Sequence, residues 1–302
     1  MKAYLLWLAK LLTLIVVVIV VIPVMFGVLA AIASKSISDD SGLKSSDKGK
    51  RVAVVELNGI IMSSRETTEQ LYKQIEDPTV KGIVLRVDSP GGAVGPSQEI
   101  YSTVKKLKAK KPIVVSMGSL AASGGLYVSV GASKIFAQPG TLTGSIGVIM
   151  EIPNFTDIAS KVGFSMVTIK SGHLKDVGNS FRKMTDEETE FLQSTVKLSH
   201  QDFIDAVADG RNIAIEKVMQ FADGRVILGS QAKELGLVDE FGDTYDAARA
   251  VFQILGEPLA QNEEPAIFYP ADKYKEFKKF LESVTNLPEL LAPHFKFSYI
   301  MN

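Results

Sequence analysis

Between Leu11 and Ala33 the chain runs for 23 residues without a charge, LLTLIVVVIVVIPVMFGVLAAIA, and no other feature limits its fold so severely. At ~1.5 Å of rise per residue, a helix of that length crosses a hydrocarbon core of ~30 Å. The run exceeds the ~7–15 residue core of a cleavable signal peptide, although Ala31-Ile32-Ala33 before Ser34 has the small side chains of a cleavage site. An uncleaved, single-pass anchor is the expectation, with Pro23 and Gly27 of the kind that spanning helices tolerate. Lys2 and Lys10 precede it and Lys35, Lys44, Lys48 and Lys50 follow, so flanking charge leaves the orientation undecided.

Residues 34–50 are polar and rich in serine, glycine and lysine, too poor in apolar surface to fold, and read as a flexible tether. The folded domain is expected over 51–256, followed by a proline-rich extension, 257–302. The formal charge of the 302-residue chain is only −1, which gives no basic surface for nucleic acid. It has no cysteine, which removes disulfides, thiolate nucleophiles and thiolate metal sites together. Its three histidines, His173, His200 and His294, are too widely spaced for a metal-ligand pattern. No metal or organic cofactor is expected.

From Arg51 onward, apolar strand patterns alternate with amphipathic helices: strand Val52–Leu57, helix Glu66–Ile75, strand Gly82–Val87, helix Ser97–Lys108, strand Ile113–Met117. This alternation predicts an α/β fold on a largely parallel sheet. Ile135–Ala137, Val148–Ile149 and Met166–Ile169 supply further short strands. Thr185 with Glu188 makes a capping box for a helix to about Asp209, and later helices are expected at Ile215–Phe221, Ser230–Leu235 and Thr244–Leu255. The apolar-aromatic end, His294–Met301, packs on the domain, packs on a neighbour or stays exposed.

Three glycine-containing turns each follow a strand, where parallel sheets place their ligands. Asp88-Ser89-Pro90-Gly91-Gly92 presents bare N–H groups, as an ordinary strand-to-helix turn also does. In Met117–Gly125 the residues around Ser123 are all small, which suits a nucleophile at a helix start, where N–H groups favour a developing oxyanion. Ser119 or Ser123 acting only as a helix cap fits equally well. Lys175, in Ser171–Asp176, becomes a general base if burial keeps it neutral; most lysines are solvated charges, and an ion pair with Asp176 is the ordinary alternative. A Ser-His-Asp triad through His173 is the competing arrangement.

Taken together, D-S-P-G-G at Asp88–Gly92, S-M-G-S-L-A-A-S-G-G at Ser116–Gly125, L-T-G-S-I-G-V-I-M at Leu142–Met150, I-K-S-G-H-L-K-D at Ile169–Asp176 and A-D-G-R-V at Ala222–Val226 resemble the bacterial signal peptide peptidase A family, the membrane-anchored Ser-Lys proteases of the short, single-domain type. The resemblance implies a ClpP/crotonase-like fold of repeated ββα units. It assigns Ser123 as nucleophile, Lys175 as general base, Ser145 as the hydroxyl that holds the lysine amine, and the N–H groups of Gly92 and Gly124 as the oxyanion hole. It further implies a homo-oligomeric ring or dome in which Lys175 reaches Ser123 of an adjacent protomer. The catalytic domain is then extracytoplasmic on a bacterial cytoplasmic membrane, with cleaved signal peptides and other apolar, extended peptides as substrates. Leu126 stands where many relatives have an aromatic residue; Tyr127 follows it. The alternatives are a crotonase-like acyl-CoA enzyme, which would not need both Ser123 and Lys175, and a silent membrane scaffold of the same fold.

Overall fold

The computed structural model describes Trp7, Lys10, residues 51–270 and, in backbone only, residues 297–300. The run 11–33, the tether and His294 lie outside the described residues. Among those described, no helix is long and apolar enough to cross a membrane.

The chain opens with β1 (Arg51–Asn58), α1 (Arg65–Glu76) and β2 (Val80–Ser89), and continues through β3 (Gly91–Ala93), α2 (Val94–Leu107) and β4 (Ile113–Ala121). Then come α3 (Gly124–Ser129), β5 (Lys134–Ala137), β6 (Leu142–Gly144) and β7 (Ile149–Met150). The later elements are α4 (Thr156–Lys161), α5 (Asp186–Arg211), α6 (Ile215–Met219), β8 (Val226–Leu228), α7 (Gly229–Glu234), β9 (Glu240–Phe241), α8 (Thr244–Ile254), β10 (Ala266–Phe268) and β11 (Phe297–Ile300).

Six strands pair side by side in the order β10-β1-β2-β4-β5-β9, every pair parallel. A parallel sheet is covered on both faces, which is why β2 and β4 read as continuous apolar runs. Val55, Leu85, Val115 and Met117 face α1, α2, α3 and α5, where Leu71, Ile100, Leu107, Leu126 and Phe203 complete the larger core. Val52, Val54, Val84, Val114 and Phe136 point the other way, onto Ala247, Val251 and Phe252 of α8. Each such large side chain contributes about 1.5–3 kcal/mol by leaving water. Off this path, β6 pairs with the end of β4 and β8 pairs antiparallel with β6. A separate small sheet has the order β3-β11-β7.

The capping box at Thr185 is formed. One expected strand is not: Met166–Ile169 is irregular, with Val167 86% and Ile169 96% exposed. The apolar, β-branched run is present, but none of the described strands pairs with it, and an unpaired strand is not stable in water. It belongs to an arm, residues 155–184, whose own packing includes Phe181 against Phe155 and Phe164 with ring centroids 6.0 and 5.2 Å apart.

Candidate active site

Three turns converge at the carboxyl end of the sheet. The register of β2 on β4 shifts after Val87, so that Ser89 pairs with Ala121 and the Ala122 N–H donates to the Ser89 carbonyl at 3.1 Å. The turns Ser89–Gly92 and Ala121–Gly125 are thereby joined. The third comes in from β6, where the Gly144 carbonyl accepts the Ser123 N–H at 2.9 Å. Asp88 is structural: its Oδ1 accepts the Leu120 N–H at 3.1 Å, bracing the second turn from below.

Ser123 sits at the cap of α3 with φ 52° and ψ −118°, a conformation costly for a residue with a β-carbon. It is fully buried, and its Oγ has no hydrogen-bond partner among the described residues. A hydroxyl that only capped the helix would bond an N–H of its first turn, and this one does not. Beside it, a β-carbon placed on Gly124 would stand 2.6 Å from the Ser97 hydroxyl and 3.1 Å from the Gly92 nitrogen. The two glycines therefore approach as only glycines can, bringing together the backbones of Gly92 and Gly124. Gly91 O and Ala93 N–H are both bonded to Ile61, so strand alternation turns the Gly92 N–H away from Ile61, toward β11.

Ser145 follows directly on this arrangement. Its φ is also 52°, it is 7% exposed, and its N–H donates to the Arg225 carbonyl at 2.8 Å. That bond, with Gly224 N–H to Ile146 O at 3.1 Å, explains why A-D-G-R-V belongs with the site: it backs the Ser145 turn. Ser145 opens on a cleft of about 450 Å³, also lined by Val148, Ile149, Gln193, Lys197, His200 and Gly224. Gln193 and Lys197 on α5 carry no local signal in the sequence, and His200, expected only as a structural or exposed residue of a long helix, lines the same cleft. The His200 Nε2 is buried without a partner among the described residues.

Lys175 is not among the residues that line this cleft. It stands exposed on a 3₁₀ turn, His173–Asp176, in the 155–184 arm, and no described contact joins its side chain to Ser123 or Ser145. Its neighbour Asp176 does not pair with it. The Asp176 carboxylate binds Arg182 Nε at 2.9 Å and Lys170 Nζ, and Arg182 in turn binds Glu188, the partner of Thr185 in the capping box. Arg182 first, then Lys170, holds the Asp176 carboxyl well below the usual carboxylate range, and Arg182 with the Thr185 N–H pulls Glu188 down to about 2. His173 Nε2 lies 3.0 Å from Glu187, far from a triad with Ser123 in its described contacts.

Of the three readings of the apolar-aromatic end, the small sheet selects packing on the domain. β11 lies between β3 and β7, antiparallel to both, with Tyr299 opposite Gly92 and Ser298 opposite Ala93 and Ile149. The gap beside Gly92 therefore accepts an extended backbone. Leu126, the departure from the family pattern, is fully buried in the larger core and takes no part in the cleft. Among the described residues no group of three His, Asp or Glu side chains has metal-site geometry.

The sequence matches the model of peptidase family S49 over residues 105–255 and that of Clp protease over residues 48–143. With the helix-covered sheet described above, the Clp match makes the fold an α/β one of the Clp protease kind. The chain is 43% identical over 208 residues to a putative protease of Synechocystis sp., covering 68% of this chain and 75% of that one. It is 38% identical over 228 residues to a putative signal peptide peptidase SppA of Enterococcus faecium, covering 71% and 66%. Against Protease 4 of Salmonella typhi, identity is 34% over 265 residues, 84% of this chain but only 42% of the longer relative.

Proposed function

Because the chain belongs to peptidase family S49, we propose that it is a membrane-anchored serine endopeptidase that cleaves apolar, extended peptides, signal-peptide remnants among them, with Ser123 as nucleophile and Lys175 as base. The observation that carries this reading is the Ser123 hydroxyl: buried, unpartnered, on a strained backbone, beside two glycines packed within contact of each other. A serine with only a structural task would not be held in this way.

In the proposed reaction the neutral Lys175 amine takes the Ser123 proton as Oγ attacks the substrate carbonyl. The oxyanion of the tetrahedral intermediate is bound by the N–H groups of Gly92 and Gly124. The lysine then gives its proton to the leaving amine, the C–N bond breaks, and water, activated by the same amine, hydrolyses the acyl-enzyme. Ser145, at the mouth of the cleft, receives the lysine amine. Lys175 is exposed in the protomer, so the arm of one protomer supplies it to the cleft of the next, in a ring or dome. The uncharged run 11–33 anchors this assembly, with the domain on the outer face of the cytoplasmic membrane. Activity rises toward alkaline pH, as a mechanism that needs an unprotonated amine requires.

The test is cleavage of an apolar reporter peptide by detergent-purified wild type, Ser123→Ala, Lys175→Ala and Lys197→Ala. Both of the first two variants should lose turnover by at least ~10³-fold, and Lys197→Ala should keep it. Lys197 is the rival lysine among the described residues, because it lines the same cleft as Ser145. Loss in Lys197→Ala with cleavage retained by Lys175→Ala would transfer the role to it; normal cleavage by Ser123→Ala would end the reading.

A further inference from the structure

We propose that Arg182 is a positioning residue that keeps Lys175 usable as a base by holding the adjacent Asp176 carboxylate away from its amine. This rests on the Ser123–Lys175 reading. The difficulty it resolves is chemical. A general-base lysine must be neutral, and a carboxylate within ~4–6 Å stabilises the charged form by roughly 1–3 pKa units. Asp176 is the next residue in the chain.

Both oxygens of that carboxylate are engaged by other cations. Lys170 Nζ holds Oδ1, Arg182 Nε holds Oδ2 at 2.9 Å, and the side chain is only 11% exposed. The same two cations tie the main chain of the turn: Arg182 Nη2 donates to the Asp176 carbonyl at 3.1 Å and Lys170 Nζ to the His173 carbonyl at 2.7 Å. Arg182 is anchored in its turn. Its Nη1 donates to Glu188 Oε2 at 2.8 Å, and Glu188 is fixed by the capping box that opens α5. The network thus runs from a 26-residue helix to the turn and stops one residue short of Lys175.

The charged groups on the turn and at the start of α5 are Lys170, His173, Asp176, Arg182, Lys183, Asp186, Glu187 and Glu188. Glu187 is taken by His173, Glu188 by Arg182, and Asp176 by Arg182 and Lys170. Lys175 has no ion pair among the described contacts and is exposed. The depressed Asp176 carboxyl stays anionic throughout the working pH range. Released, it would be a permanent counter-ion for the neighbouring amine.

The experiment measures kcat and KM against pH for the full-length, detergent-purified enzyme, comparing wild type with Arg182→Leu and with Arg182→Leu/Asp176→Asn. Melting temperature and oligomer size are followed alongside. The acid limb of kcat should move up by about one unit in Arg182→Leu, lowering kcat near neutral pH about tenfold with little change in KM. In the double variant, which lacks the carboxylate next to Lys175, the limb should return to the wild-type position. A loss of rate in Arg182→Leu with the limb unmoved, or a limb that Asp176→Asn does not restore, overturns the proposal in favour of a plain structural role. Lys175→Ala run in parallel separates the two readings, since full activity there defeats the dyad itself.

Discussion

Strain marks the chemistry more sharply than composition does. Of the three described non-glycine residues with positive φ, Asn212 ends a helix in the ordinary left-handed cap, while the other two are Ser123 and Ser145. Each such residue costs about 1–3 kcal/mol, which the surrounding hydrogen bonds, Ser123 N–H to Gly144 O and Ser145 N–H to Arg225 O, must offset. The proposed oxyanion pair, Gly92 and Gly124, depends equally on missing atoms. A β-carbon on Gly124 meets the Ser97 hydroxyl at 2.6 Å and the Gly92 nitrogen at 3.1 Å. Gly124→Ala should therefore lower kcat by at least ~10²-fold, by displacing one donor, with folding retained. A melting curve and a kcat measurement check this, and unchanged turnover would mean that the oxyanion is held elsewhere. Sequence made Ser123 legible because its neighbours are uniformly small. It could not single out Lys175, one of the 33 cationic side chains, and it left open a Lys175–Asp176 pair that geometry resolves: the carboxylate turns to Arg182, six residues on.

At the scale of elements, long apolar strands and capped helices were legible because burial and hydrogen bonding agree locally, as at β2, β4 and α5. The small sheet was not. β3 is Gly-Gly-Ala, without strand propensity, and although β11, Phe-Ser-Tyr-Ile, has it, the two lie some two hundred residues apart, so nothing local announces their pairing. Met166–Ile169 failed in the opposite direction, with the pattern but no partner. The pairing of β11 makes a prediction for the substrate groove. Its backbone runs antiparallel to β3 beside Gly92, the geometry by which an added peptide strand gains main-chain hydrogen bonds. A peptide entering there competes with β11, so removing residues 297–300 should lower KM several-fold and leave the melting temperature unchanged. Steady-state kinetics on a short reporter peptide read this out. An unaltered KM would mean that substrate takes another path to Ser123.

For the whole molecule, the arm presents an apolar face that the protomer does not cover: Val162 is 73%, Val167 86% and Ile169 96% exposed, on the segment that carries Lys175. A continuous stretch of such residues marks a surface meant to be buried against something. The cleft at Ser145 has the complementary need, since the described protomer brings no Lys175 to it. On the reading proposed above, a head-to-tail contact would satisfy both and, repeated, would close a ring. If each site takes Ser123 from one protomer and Lys175 from the next, the two inactive variants carry complementary halves. Co-assembled one to one, Ser123→Ala and Lys175→Ala should recover about a quarter of wild-type activity, the chance that an intact serine faces an intact lysine across a heterologous interface. Variants mixed only after assembly should recover none until subunits exchange. If the co-assembled mixture stays silent while each variant forms particles of wild-type size, the lysine and serine belong to one protomer, and the arm must fold back onto its own cleft.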